Sequence, residues 1–298
     1  MQNLCGWSPQ PEEVDRVCQT MPNPMFESPS PDQNLEVFNH LLFKKVTGNW
    51  QTQGYQKIGD CVSWGHGGMC DYSQVMDQIY DTNPSMELDF EPTATEVIYG
   101  ISRVDVGHSQ IRGDGSVGAW AMRGACDFGN LSRPHLARLG LSAEYDPNRA
   151  REWGQNGIPE NLKPQGHKFV EGTLVKDALS AAWHIQNGRT VAVCSNVGFA
   201  NDRSGTRRDE DGFVKPNGNW GHCMKFTSVR WGRRPGLLLE NQWPTETTFG
   251  PMGPVEIPPC SWWVDMETAD AMLRQGDSWT GSIYNGYPVR KLQWHLWG

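Results

Sequence analysis

Apolar and polar positions alternate with different periods in the two halves of this chain. In the first half the period is helical. Met69, Tyr72, Met76 and Ile79 recur at three- and four-residue steps, which lines up one apolar face of a helix. Further helices are predicted around 91–104, 117–125 and 175–187, and a short amphipathic stretch runs over 35–45. In the second half the period shortens. Gly188-Arg189 ends a helix, Thr190 to Val193 reads as a strand, and strands continue over 224–231 and 236–241. The stretch 143–171 reads as polar loop, and 201–220 as a polar insertion. Residues 1–33 carry Pro9, Pro11, Pro22, Pro24, Pro29 and Pro31 and read as an extended arm. Helices first and strands later predict an α+β fold. The expected divisions are an arm over 1–50, a helical part over 51–145 and a β-rich part over 146–298.

Three segments of this pattern carry candidate chemistry. Cys61 stands at the predicted start of a helix, after Gly59-Asp60, which reads as turn and N-cap. A helix N-terminus and a neighbouring imidazole are the two devices that turn a thiol into the reactive thiolate. His222 stands in the alternating run after Gly221, and Asn241 follows the apolar strand Leu237-Leu238-Leu239. The imidazole would shuttle the proton, Asn241 would orient it, and Trp243 would cover their hydrogen bond. Gln56 would complete an oxyanion hole with the Cys61 N–H, a donor whose loss typically costs about 2.7–4 kcal/mol of transition-state stabilisation. Gly113, Gly115 and Ser116 would line a peptide-binding cleft, where missing side chains let a substrate backbone approach.

The block from Gln56 to Trp64, Gly221-His222 and Asn241-Gln242-Trp243 together resemble the papain-like cysteine peptidases, over roughly residues 51–250. Within that family the likeness is to bacteriophage and bacterial members. The resemblance implies a two-lobed papain-like fold: a helical lobe with Cys61, a β-rich lobe with His222 and Asn241, and Trp243 beside the substrate cleft. It implies hydrolysis of a peptide or protein substrate through a thioester acyl-enzyme, with no cofactor. The pattern departs from the family in places. Gln56 lies five residues before Cys61 rather than six, Val62 replaces the usual tryptophan, and His222 lies 161 residues after Cys61, beyond the usual roughly 130–150.

Composition narrows the alternatives. The 298 residues carry a net charge of −8, which argues against a phosphate-backbone binder. No run approaches the roughly 20 apolar residues of a membrane helix, and no secretory signal is visible. The expected setting is cytoplasmic or virion-associated. Eight cysteines without a CxxC pair read as thiols in a reducing compartment, not as a zinc site. Asp209-Glu210-Asp211 lacks calcium-loop spacing, so no metal is expected. Fourteen tryptophans and the Pro-rich arm motivate a rival reading, a virion-associated, structural or adaptor protein on the same scaffold that assembles into a larger particle through the arm. A cell-wall amide as the bond cut ranks below both.

Overall fold

The computed structural model describes residues 4–21, 30–51, 55–79, 90–199, 205–244 and 247–284. The first half contributes helix α1 (Pro11–Thr20), a short strand β1 (Val37–Phe38), then α2 (Asn39–Thr47), α3 (Cys61–Ile79) and α4 (Thr95–Gly100). A π-helical turn, Ile101–Val106, continues α4, and α5 (Gly118–Asp127), α6 (Arg133–Arg138) and α7 (Pro147–Asn156) follow. The second half begins with β2 (Phe169–Leu174), α8 (Ala178–Gln186), β3 (Val191–Val197), β4 (Thr206–Arg207), β5 (Asn219–Arg230) and β6 (Gly236–Glu240). It ends with β7 (Thr248–Phe249), β8 (Ser261–Asp265), α9 (Met266–Leu273) and β9 (Trp279–Tyr284). The fold is α+β, as the change of period predicts.

The main sheet is antiparallel in the order β2-β9-β3-β5-β6-β8, with β1 added against β5. Its central strands are buried on both faces, and the period-2 alternation sorts their side chains. Ala192 and Cys194 of β3 and Cys223 of β5 join the core cluster shared with α1, α3 and α5. Val191, Val193, Met224 and Phe226 join the opposite cluster with α8 and α9. Helix α3 therefore lies directly on β5. Glycines permit that approach: a Cβ at Gly65 would come within 2.7 Å of Cys223 Sγ, and one at Gly68 within 2.6 Å of Lys225 Cδ.

Four expectations are corrected. The arm is not simply extended, because Pro11 opens α1, whose Val14 and Val17 are buried against the body. The stretch 143–171 is not all loop. Asp146 caps α7 by accepting from Asn148 N–H (2.8 Å), Pro147 takes its first turn, and Ala150 and Trp153 form its buried stripe. Glu91 lies outside the helix expected over 91–104, which starts at Thr95 and changes to π-helical pitch at Ile101. The polar insertion is packed, since β4 pairs with β7 and Arg208 donates to the carbonyls of Gly250, Pro259 and Ser261. Residues 1–3 and 22–29 of the arm, 201–204 of the insertion and the last residues, 285–298, lie outside the described residues.

Candidate active site

On the β side, His222 stands on β5 and Asn241 just past the end of β6. His222 Nε2 and Asn241 Oδ1 are 2.8 Å apart. Asn241 Oδ1 also accepts from Gln242 N–H (2.9 Å), and the Asn241 N–H is tied to Cys260 O, so the amide is fixed at both ends. An acceptor at Nε2 assigns that nitrogen the proton and leaves Nδ1 as the open lone pair. Nδ1 is buried and has no hydrogen-bond partner. Trp243 lies over the imidazole, with ring centroids 4.7 Å apart and planes at 32°. Burial pushes the His222 pKa down to about 4, against the opposing pull of the Asn241 bond, so the ring is neutral at pH 7.

On the helical side, Cys61 opens α3. The Asp60 carbonyl accepts from Ser63 N–H (3.0 Å) and Ser63 Oγ (2.7 Å). The Asp60 carboxyl does not act as the expected cap and instead accepts from Tyr145 OH (2.9 Å). Burial raises its pKa to about 8, so it sets no anion beside the thiol at neutral pH. The Cys61 thiol is fully buried. Burial raises its pKa well above the usual thiol range, against the backbone N–H groups of Cys223 and Gly6 that face it. No hydrogen bond joins Cys61 to His222 Nδ1. Both groups are un-ionised in this state.

What covers them is the chain's own segment Leu4–Ser8. Gln56 Nε2 donates to Leu4 O (2.5 Å) and Ile58 O (2.6 Å), so the expected oxyanion donor is already engaged by a peptide carbonyl. Gln56 Oε1 accepts from Trp243 Nε1 (3.2 Å), which ties the two sides together. Trp7 N–H donates to Gly221 O (2.9 Å), next to His222. Ser116 N–H donates to Gly6 O (2.8 Å) and Ser116 O accepts from Ser8 N–H (2.9 Å), a parallel bridge centred on Trp7. At Gly6 the fit allows no side chain, because a Cβ there would sit 1.8 Å from Gly59 O. The Gly6 backbone N–H acts on the Cys61 thiol, pulling its pKa down against the larger effect of burial.

Gly115 and Ser116 thus form a wall against peptide backbone, with Gly115 at φ 118° and close to Gly6 O. Gly113 does not join them. It occupies an exposed turn at φ 77° with open space around it. Trp243, expected beside the substrate, is buried over the imidazole. Among the described residues no group of three or more His, Cys, Asp or Glu side chains could hold a metal. No helix there is long and apolar enough to cross a membrane.

Asp277 had no signal in the sequence. It is buried and accepts from Gly118 N–H and Ala119 N–H (2.7 Å each), capping α5 from 159 residues away. It also accepts from Trp7 Nε1 (2.8 Å) and Trp279 Nε1 (2.9 Å), so the carboxylate that starts α5 also anchors the covering segment.

No protein-family model and no curated protein matches this chain. Solved structures do. Xylellain, a cysteine protease from Xylella fastidiosa, aligns over 96% of this chain and 92% of its own, with TM-score 0.53 and 14% identity. Digestive procathepsin L 3 of Tenebrio molitor larval midgut aligns over 91% of this chain and 78% of its own, with TM-score 0.56 and 12% identity. Procathepsin B S9 from Trypanosoma congolense covers 95% and 87%, with TM-score 0.56 and 10% identity. At such identities the likeness is one of backbone architecture. The chain has the papain-like cysteine protease fold.

Proposed function

We propose that this chain is a papain-like cysteine peptidase, latent in the state described, with Cys61 as nucleophile, His222 as proton shuttle, Asn241 as its orienter and Gln56 as oxyanion donor. The single observation that carries this reading is the His222 imidazole. Its Nε2 is held by Asn241, its face is covered by Trp243, and its Nδ1 is buried without a partner. A buried acceptor left unpaired costs about 1–3 kcal/mol, so a site that keeps one has a use for it.

Once Leu4–Ser8 leaves, water and substrate reach the cleft. The Cys61 proton passes to His222 Nδ1, and the thiolate attacks the peptide carbonyl carbon. The Gln56 amide, released from Leu4 O, and the Cys61 N–H take the oxyanion. The imidazolium then protonates the leaving amine, and a water deprotonated by His222 hydrolyses the thioester. The Gly115-Ser116 wall and Gly221 O, which now bind the segment's backbone, would bind the substrate's. The bound species is then an extended peptide or protein chain.

A second reading is favoured by the complete burial of Cys61 and the un-ionised state of both partners. In it the scaffold is permanently sealed and serves as a structural or adaptor protein, cytoplasmic or virion-associated. Cleavage of a mixed peptide library by the Gly6→Ala chain separates the two. The peptidase reading expects products that vanish when Cys61→Ala is added, and a sealed scaffold yields none.

A further inference from the structure

A second thiol cluster lies one helical turn from Cys61. Cys194 on β3 and Cys223 on β5 are register partners, both fully buried, on the sheet face that α3 covers. Their neighbours fix the type of pair. Cys194 N–H donates to Ser278 Oγ (3.2 Å) on the β9 side of β3. Cys223 O accepts from Gln242 Nε2 (2.7 Å) on the β6 side of β5. The N–H and C=O of a strand residue point the same way, so neither cysteine directs its backbone at the other. This is a non-hydrogen-bonded pair, whose α-carbons lie about 4.5 Å apart with the side chains at their closest. That separation falls inside the roughly 4.4–6.8 Å span of a disulfide.

A base stands beside the pair. His66, on α3, has its Nδ1 2.9 Å from Val62 O, which makes Nδ1 the protonated nitrogen and Nε2 the acceptor. Nε2 is buried without a hydrogen-bond partner among the described residues, and the ring lies close enough to Cys223 to lower the pKa of its thiol. The missing side chain of Gly65 leaves the notch in which Cys223 Sγ sits. Burial pushes the Cys223 pKa up, but the Cys194 thiol and His66 outweigh it and bring it below the usual range, while burial raises that of Cys194. The base therefore stands on the Cys223 side of the pair.

We infer that Cys194 and Cys223 are a peroxide-reactive redox pair that closes reversibly to a disulfide, with His66 as the base. His66 Nε2 takes the Cys223 proton, and the thiolate attacks one oxygen of hydrogen peroxide. The O–O bond breaks, Cys223 becomes the sulfenic acid, and the departing hydroxide takes the proton from His66 to leave as water. Cys194 sulfur then attacks the Cys223 sulfur, the S–O bond breaks, and the hydroxide leaves with the Cys194 proton as a second water. Two thiols and one peroxide give one disulfide and two waters. The bridge would join β3 to β5 one residue from His222.

The test uses the full reduced chain, graded hydrogen peroxide, alkylation with N-ethylmaleimide on unfolding, and peptide mapping by mass spectrometry. The expected first product is the Cys194–Cys223 bridge, reopened by dithiothreitol and formed at least about tenfold more slowly in His66→Ala. In Cys194→Ser the expected product is a dimedone adduct on Cys223. Oxidation of the partly exposed Cys5, Cys18 and Cys126, with Cys194 and Cys223 still alkylatable at the same peroxide level, would overturn the inference. So would a Cys194→Ser chain with no adduct on Cys223. Neither readout needs peptide turnover, so the result is independent of the proposed peptidase activity.

Discussion

The two sides of the cleft are in different states. On the β side the hydrogen bond from His222 to Asn241 is made, the ring is covered by Trp243, and one nitrogen is left open. On the helical side everything a substrate would use is taken: Gln56 by Leu4 O, Ser116 by Gly6 and Ser8, and the space over Cys61 by the backbone of Gly6. On the proposed reading, what limits chemistry here is the occupancy of the cleft by Leu4–Ser8. It also explains the un-ionised pair. A thiolate–imidazolium pair needs solvent or close mutual contact to offset desolvation, and the covering segment removes the first while the second is not made.

Perturbing either side should give effects of different size and kind. The largest is expected at Cys61. Turnover by the opened Gly6→Ala chain should fall by at least about 10⁴-fold on adding Cys61→Ala, with an unchanged thermal unfolding curve by circular dichroism. Next is His222→Ala in the same background, with a loss of about 10²–10⁴-fold in kcat/KM, since general acid–base catalysis supplies about that much. Equal activity with and without His222 would mean that the assembled β side is architecture alone.

The covering segment is probed through its anchor. Asp277→Ala strips the cap from α5 and the partner from the Trp7 indole, and should lower unfolding stability by about 2–4 kcal/mol in urea titrations. It should also raise the alkylation rate of Cys61. A loss of stability with no gain in reactivity would separate the cap from the latch.

The smallest effect is a pH dependence. The folded-state pKa of His222, about 4, lies below its ordinary 6.5, so between these values the unfolded chain binds the extra proton. Stability therefore falls as pH drops from 6.5 towards 4. Relative to a His222→Gln chain, the loss should be on the order of 1 kcal/mol per pH unit, read from urea midpoints at about pH 7 and about pH 4.5. A difference independent of pH would mean that the imidazole is solvated.

The local settings of Cys61, His222 and Asn241 were legible because each carries a local signature, whereas Gly113 carried none that separates a cleft wall from an exposed turn. Cys61 follows a Gly-Asp turn, His222 sits in an alternating strand, and Asn241 ends an apolar one. Those signals are short-range, and the backbone followed them. Helix α7 was legible in Asp146-Pro147 but was hidden by the polarity of its neighbours. The covering segment was not legible. Five extended residues have no periodicity, and the groups that hold them, Gln56, Ser116, Gly221 and Asp277, are 50 to 270 residues away. Proline-rich composition reads as an extended arm, and burial of Trp7, Val14 and Val17 offsets the entropy of ordering it against the body. The thiol pair escaped for the same reason, since strand register is a property of the sheet and not of either strand.

The most direct measurement is the rate at which a papain-type epoxide modifies Cys61 in the full chain and in Gly6→Ala, with the modified cysteine identified by mass spectrometry. One added methyl group cannot be seated 1.8 Å from Gly59 O, so it should displace the segment and little else. The account predicts slow labelling of the native chain and labelling at least about tenfold faster in Gly6→Ala, selective for Cys61 and lost with His222→Ala. Equal rates in the two chains would contradict it, because Cys61 would then be governed by something other than the segment that covers it.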